Sequence, residues 1–439
     1  MTARAAVAEH AGAPVAGVAR ARARAFDGAL VLSVATGLSG VLIYAFHVLA
    51  ARSLGPEAYG RIAVLWAALF VGVVVLFRPL EQTTARAIAE RRSRGADVRS
   101  VLRAVTIMAA VVVVLLTTAI VLGWDVISSS LFGGDATLTA ALALGLVAYA
   151  AAYVIRGVTS GLRWFSGYGL LLLADALARI VVALPLVVVA SEGLAAAAMV
   201  AAGVASVAAV LWAGRSRLGT LLAPGHGASF RLRSAASFAG PASVIAAADQ
   251  VLVNGGPLVV VLAGGSGMSR EAGVVFAATM LVRVPVFLFQ GLAASLLPNL
   301  TTLHAQRDGS VVARAAWRAC AAIAGVTVAI VLAATVAGPS VMALVYGEEY
   351  RVDALELGLL AAGVGAYLAA ATLSQLLLAL DRGRAAAVAW AGAAVVFVAS
   401  YAVIPGEPLL RIAVGFAVAA GAVAFALATV VARSSRHSA

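Results

Sequence analysis

The sequence contains no lysine, a single cysteine and few charged residues of either sign. With one cysteine, Cys320, the chain cannot form an intramolecular disulfide, and none of the usual cysteine spacings for a metal site is present. Charged residues make up 11% of the chain, whereas a soluble globular protein carries roughly 25%. This shortage of charge excludes an ordinary soluble protein.

Apolar residues take the place of the missing charge. They form 63% of the 439 residues, and the mean hydropathy is +1.04. The apolar runs continue for about 20 residues, as transmembrane helices require, whereas barrel strands alternate over about 10. The predicted fold class is therefore an all-α polytopic membrane protein. Its twelve predicted spans are 29–51, 61–83, 103–123, 137–161, 169–190, 193–213, 236–263, 272–298, 314–337, 355–379, 384–404 and 409–432.

The net charge of +12 is carried by arginine. In a soluble protein such charge would suggest a nucleic-acid partner; in a membrane protein, basic loops lie on the cytoplasmic side against anionic lipid. Arginines concentrate in both tails and in every even-numbered connection, and acids concentrate in the odd-numbered ones. This pattern predicts an inner or plasma membrane protein with both termini in the cytoplasm and no nucleic-acid partner.

An internal repeat relates the two halves of the chain at a spacing of about 213 residues. The entry to helix 2 matches the entry to helix 8, with Gly60 against Gly273, and helix 4 matches helix 10, with Tyr153 against Tyr367. Because six helices separate the copies, both have the same membrane orientation. Two parallel six-helix repeats are therefore predicted, with a site between them.

The repeat divides the chain into five regions. The first 28 residues lack the apolar core of a signal peptide and are predicted to be a flexible tail. The regions are a basic cytoplasmic tail (1–28), an N-terminal lobe (29–213), a cytoplasmic linker (214–235), a C-terminal lobe (236–432) and a second tail (433–439).

Two pairs of opposite charges fall near the middle of predicted spans. An arginine at the bilayer centre costs at least about 2.5–3.5 kcal/mol, so it should face a water-filled cavity or a partner. Arg283 and Asp249 both lie near the midplane, where they can pair or take part in a substrate site. Asp175 and Arg179 lie one helical turn apart, so they share a face and can form an internal ion pair or a site.

Three further charges lie in the cytoplasmic third of their helices. Arg78 and Glu81 are three residues apart and are expected to neutralise each other in part, and Arg156 is expected to snorkel to the surface. Arginines outnumber acids here, and their planar guanidinium suits phosphate oxygens. The candidate substrate-binding residues are Arg78, Arg156, Arg179 and Arg283; the candidates for coupling or ion pairing are Glu81, Asp175 and Asp249.

Other polar features carry weaker signals. The run ADQVLVNGGP at 248–257 predicts either a broken helix that lines a cavity or a packing kink. His47 is expected to be an interfacial residue near the outer end of helix 1. No nucleotide-binding, zinc-protease or nucleophile-elbow motif is present, so no cofactor, metal or enzymatic activity is predicted.

Several segments resemble one family of transporters. ARSLGPEAYGRIAVLWAALF resembles the L-G-P-x-x-Y-G signature of polysaccharide-biosynthesis flippases, which are Wzx-type exporters of the multidrug/oligosaccharidyl-lipid/polysaccharide superfamily. FRPLEQTTARAIAERR resembles the end of helix 2 in that family, YVIRGVTSGLRWFSGYG its helix 4–5 junction, and LFQGLAASLLPNLTTL its helix-8 end. The resemblance covers nearly the whole chain. Arg78 departs from the small residue usual there, and the second half lacks L-G-P-x-x-Y-G.

The resemblance implies alternating access between the two lobes. The cargo would be a saccharide on a polyprenyl pyrophosphate, and the partners would be the bilayer and other polysaccharide-assembly proteins. A cation-coupled small-molecule exporter of the same superfamily is one alternative. An integral-membrane glycosyltransferase or polymerase is another, but the longest outer connections, 124–136 and 338–354, are short for a catalytic loop.

Overall fold

The computed structural model describes residues 3–217, 232–284, 309–379 and 382–436. These residues are almost wholly helical, and no strand occurs among them. Several features of the sequence analysis lie outside the described part. They are the segment 288–303, the charged residues of 303–308, most of the linker 214–235 and the side chain of Cys320. The chain forms an N lobe from helices α1 to α7 and a C lobe from helices α8 to α15.

The helices of the N lobe are α1 (3–54), α2 (56–93), α3 (Arg99–Leu122), α4 (Trp124–Phe132), α5 (Ala136–Gly161), α6 (Phe165–Ala183) and α7 (Glu192–Ala213). Those of the C lobe are α8 (Leu232–Asn254), α9 (Gly256–Gly264), α10 (Ser269–Val282), α11 (Gly309–Val336), α12 (Gly338–Tyr346), α13 (Ala354–Ala379), α14 (Gly383–Val403) and α15 (Pro408–Arg436).

Gly55 separates α1 from α2. Its φ of 75° and ψ of 170° are conformations that glycine adopts without steric cost, and Pro56 then starts the next helix. The apolar stretch Leu30–Ser93 spans 64 residues, far more than the roughly 20 that cross a bilayer once. The break therefore turns one long helical stretch into two spans. We use α2 to name the two ends of the bundle, the Gly55 end and the Ser93 end.

The twelve predicted spans map onto this arrangement. Eight described helices are long and apolar enough to cross a membrane, and two bent pairs raise the number to ten. Counting α1 and α2 separately adds one span, and α10 begins another whose second half lies outside the described residues. The fold class prediction, two repeats of six helices, is confirmed.

Two regions differ from the sequence-based expectation. The N-terminal tail is helical from Ala3 onward rather than flexible, because alanine and arginine both favour helix. The two longest outer connections contain the short helices α4 and α12, each of nine residues. Helix α12 follows α11 after a break of one residue and bends away from it by 68°.

The repeat brings Gly60 and Gly273 together where α2 and α10 cross. A Cβ atom built on Gly60 would overlap the carbonyl oxygen of Ser269, and one built on Gly273 would overlap the carbonyl oxygen of Pro56. Only glycine allows two backbones to approach this closely. The pairing of these two glycines by sequence is therefore matched by direct contact between the lobes.

The sequence pairs Tyr153 with Tyr367 at a nearly constant offset. Helices α5 and α13 both begin directly after an aspartate. On a count from those two starts, the residue equivalent to Tyr367 is Tyr149. Both tyrosines donate a hydrogen bond to an aspartate within their own lobe, at 2.7 Å for Tyr149 and 2.6 Å for Tyr367.

Helices α2 and α5 pack through a pair of glycines four residues apart. A Cβ on Gly157 would lie 2.7 Å from the Cβ of Thr84, and one on Gly161 would lie 2.7 Å from the carbonyl oxygen of Ala85. This small-xxx-small arrangement lets the helices touch along their backbones, which favours association in lipid.

We expect Gly157→Leu to separate α2 from α5 and to destabilise the fold. Overpacking of this kind costs about 1–3 kcal/mol, and more where the obstructing atom belongs to the backbone. Thermal unfolding of the purified protein in nanodiscs should show a lower midpoint. Gly421→Leu is the matched control, because no neighbouring atom among the described residues lies within 4 Å of a Cβ at Gly421. Equal midpoints for both variants would contradict the close packing.

The lobes are joined at the Gly55 end by hydrogen bonds across their interface. Arg52 of α1 donates to the carbonyl oxygen of Val345 at 2.8 Å and to that of Leu344, the last carbonyls of α12. Tyr350 donates its hydroxyl hydrogen to the carbonyl oxygen of Ala51 at 3.1 Å. Burial raises the pKa of the Tyr350 hydroxyl, so it stays protonated as this bond requires. We call this interface the Gly55-end seam.

Candidate functional site

A polar pocket in the C lobe forms where α8 ends and α9 begins. The two helices meet at 69° because Gly255-Gly256-Pro257 interrupts them, and Pro257 has no N–H to continue the helical ladder. The predicted break is confirmed. It coincides with a cavity of about 70 Å³, so the run is both a kink and a cavity wall. The lining residues are Asp249, Gln250, Val253, Arg283, Val364, Tyr367 and Phe416.

A chain of hydrogen bonds runs along this pocket. Tyr367 donates to Asp249 Oδ1 at 2.6 Å, and Gln250 Nε2 donates to Asp249 Oδ2 at 3.1 Å. Asn254 Nδ2 donates to Gln250 Oε1 at 2.6 Å, and Arg283 Nη1 donates to Asn254 Oδ1 at 3.2 Å. The two central amides therefore connect the carboxylate to the guanidinium through intermediate groups.

Arg283 is held in the pocket by the helix break itself. Its Nη1 also donates to the carbonyl oxygen of Val253 at 3.0 Å, an acceptor available because the ladder ends at Gly255. Both of its hydrogen bonds to described residues use Nη1, so within that part of the chain Nη2 and Nε can bind another acceptor. Within the described part of the chain Arg283 makes no ion pair with Asp249 shorter than 4.0 Å, although the two interact electrostatically. The expected pairing is thus indirect.

Arg78 is exposed and lies within electrostatic range of both lobes. It interacts with Asp249 and Tyr367 of the C lobe and with Tyr153 and Tyr168 of the N lobe. Arg78 and Arg283 both act on Asp249, so two positive charges lie near this one carboxylate.

Arg156 and Glu81 form a separate cluster on the N-lobe side. The guanidinium carbon of Arg156 lies 4.8 Å from the ring centre of Tyr153 and 5.5 Å from that of Tyr168, and its Nε is buried. The expectation that Arg156 snorkels is therefore wrong, because these two rings hold it inward. Glu81 Oε1 accepts a hydrogen bond from Tyr168 at 3.1 Å and interacts electrostatically with Arg156, so its partners are these groups rather than Arg78.

The predicted pair of Asp175 and Arg179, which lies on α6, is an ion pair inside the N lobe. Arg179 Nη2 lies 2.7 Å from Asp175 Oδ2 and donates to the hydroxyl oxygen of Tyr149 at 2.6 Å. The guanidinium is enclosed by the rings of Phe46, Trp66 and Phe70 at 5.0–5.9 Å and is 0% exposed. In this conformation Arg179 and Asp175 hold helices together, and Arg179 does not reach the cleft.

Three residues near these clusters were not predicted as site residues. His47 is 0% exposed at the seam, so the expectation of an interfacial position is wrong. Tyr149 and Tyr367 hold the aspartates of the two lobes. Their only sequence signal is a tyrosine in the middle of an apolar helix, which is ambiguous because tyrosine also packs in membrane-protein cores. The described residues contain no group of three or more ligating side chains that could hold a metal ion.

Comparison with known proteins places this geometry in a structural class. No family model matches the chain. An uncharacterized protein of Mycobacterium bovis is 29% identical over 375 residues, covering 83% of each chain, and one of Mycobacterium tuberculosis is 28% identical over the same length. Among solved structures, the chain is similar to the inward-facing conformation of a multidrug resistance MATE family transporter of the MOP superfamily. The TM-score is 0.72 at 15% identity, with 93% of this chain and 98% of that one covered.

The outward-facing conformation of a multidrug resistance MATE family transporter gives a TM-score of 0.61 at 15% identity, with 94% and 96% covered. The fold is therefore MATE-like. The chain is a multi-pass membrane protein, and both of these structural neighbours are transporters.

Proposed function

We propose that this protein moves a polyprenyl-pyrophosphate-linked saccharide from the cytoplasmic to the outer leaflet of the inner or plasma membrane by alternating access. Such a flippase would serve exopolysaccharide, capsule or cell-wall glycan assembly, together with the other proteins of that assembly. The observation that carries the proposal is that Arg78 of the N lobe and Arg283 of the C lobe both interact electrostatically with Asp249, and that Arg283 and Asp249 line the same C-lobe pocket.

The charge of the cleft suits an anionic cargo. Among the described residues, Nη2 and Nε of Arg283 have no hydrogen-bond acceptor, and Arg78 makes no ion pair. A planar guanidinium binds phosphate oxygens through paired hydrogen bonds. A pyrophosphate between the two lobes would satisfy both arginines, while its lipid tail stays in the bilayer.

The arginine distribution assigns the Gly55 end to the outer side of the membrane. On that assignment the seam closes the outer side, and the exposed Arg78 faces the cytoplasmic side, where a lipid-linked sugar made in the cytoplasm would enter. The higher TM-score against the inward-facing neighbour, 0.72 compared with 0.61, supports the same direction.

A cation-coupled small-molecule exporter is the second candidate, favoured by the fold of the neighbours. A cationic drug or coupling ion needs a free acidic site. In the described residues, however, Asp175 is paired with Arg179, and Asp249 accepts hydrogen bonds from Tyr367 and Gln250. These contacts favour the anionic cargo.

Deleting the gene in its native host tests the proposal. We expect polyprenyl-linked saccharide to accumulate in the cytoplasmic leaflet, measured by lipid extraction and mass spectrometry with and without a membrane-impermeant glycosidase. Normal lipid-linked saccharide together with increased sensitivity to cationic drugs would contradict the flippase and support the exporter.

A further inference from the structure

His47 occupies the centre of the Gly55-end seam, enclosed by aromatic rings from both lobes. Its ring centre lies 4.4 Å from that of Trp66 and 5.1 Å from that of Phe46 in the N lobe, and 5.0 Å from that of Phe276 in the C lobe. The side chain is 0% exposed. The polar, titratable side chain of His47 is therefore fully buried at the contact between the two lobes.

The polar contacts of His47 suit a neutral ring. Nδ1 lies 3.3 Å from the hydroxyl oxygen of Tyr59, and Nε2 is buried without a hydrogen-bond partner. The charged groups that act on it are Arg179 of α6 and Arg283 after α10. The titratable groups around it are thus Tyr59 of α2 and these two arginines, with Tyr44 on its own helix and Tyr350 packed behind Tyr59.

A proton on His47 would therefore weaken the seam. An imidazolium buried without a carboxylate loses its hydration, and two cations in the vicinity repel it. Once the lobes separate, water reaches the ring and restores its hydration, and Arg283 moves away with the C lobe. Arg179 stays in the N lobe beside His47, but water weakens its repulsion. The closed seam selects the neutral ring, and the open seam accepts the charged one.

We infer that His47 is a proton-sensitive latch: the Gly55-end seam closes on its neutral form, and protonation from the Gly55 side favours the state open to that side. The latch rests on the proposed alternating access but not on the identity of the cargo. It gives a direct means by which an acidic outer side would hold the transporter open for release.

The direction and size of the effect follow from linkage. A solvated imidazole takes up its proton at about pH 6.5. Stability of the closed seam is therefore fully present well above that pH and is lost as the pH falls through it. If the closed state excludes the proton, the ratio of open to closed molecules rises about tenfold between about pH 8 and about pH 5.5.

Spin-label distances across the seam test this. Glu57 and Glu348 are exposed, one in each lobe at the Gly55 end, with side chains 72% and 77% accessible. Both are replaced by cysteine in a Cys320→Ser background and labelled in nanodiscs. We expect the population at long distance to grow about tenfold relative to the short one over that pH range. His47→Phe and His47→Gln, which cannot be charged, should abolish the dependence.

Arg52→Ala separates failure of the latch from failure of alternating access. It removes the bonds from α1 to the end of α12, so it should widen the distance at every pH. Widening by Arg52→Ala without a pH response, or a pH response that persists in both His47 variants, overturns the latch alone. A distance that neither pH nor Arg52→Ala changes overturns both the latch and the proposed two-state mechanism.

Discussion

A protein in which Arg78 and Arg283 are both replaced by alanine is expected to lose binding of an anionic lipid cargo by about 100-fold or more while remaining inserted in the membrane. Each hydrogen bond to a charged group contributes about 1.5–3 kcal/mol, and two such losses correspond to at least that factor. Binding of a short-chain prenyl pyrophosphate to the purified protein, measured by calorimetry, gives the number directly.

The controls distinguish charge from geometry and from general damage. Arg351→Ala removes an exposed arginine at the Gly55 end whose ion pair with Glu348 lies on the surface, so binding should be unchanged. Lysine at both cleft positions keeps the charge but loses the planar pair of donors, and an intermediate affinity is expected. Wild-type affinity in the alanine double variant would remove these arginines from the cargo site.

The second large effect is expected at the helix crossing. Gly60→Leu should prevent closure of the Gly55-end seam, because even its Cβ overlaps the carbonyl oxygen of Ser269. Forced overpacking costs about 1–3 kcal/mol, which lowers the ratio of closed to open molecules by about 5-fold to about 150-fold. The spin-label pair at Glu57 and Glu348 should therefore report the long distance, and turnover should stop.

Gly392→Leu is the matched control for that substitution. Gly392 lies in α14 with no atom within 4 Å of a built Cβ, so the same side chain should leave the distance unchanged. An unchanged distance in Gly60→Leu would show that the lobes can close without the glycine contact.

The sequence predicts features that depend on local order. The length of the apolar runs indicates the spans. The four-residue spacing places Asp175 on the same helix face as Arg179. The run Gly255-Gly256-Pro257 indicates the break between α8 and α9. The glycine pair of the repeat is also visible from sequence, since both copies keep the same spacing from their helix entries.

Features that depend on packing between helices were not predictable from spacing. Arg156 turns inward because Tyr168 comes from the next helix, and His47 is buried because Phe276 arrives from the other lobe.

The contact between Gly60 and Gly273 has an evolutionary consequence. A six-helix unit that pairs with its own copy must be self-complementary on the axis between them, and after duplication and fusion the axial positions still face each other. A larger residue at either glycine would need a compensating change in the other half of the gene. Positions away from the axis need no compensating change in the other half. Arg61, for example, binds Glu192 within the N lobe, so the two residues can change together without any change in the C lobe. Each lobe can therefore change without a matching change in the other, except at the contact between the two halves.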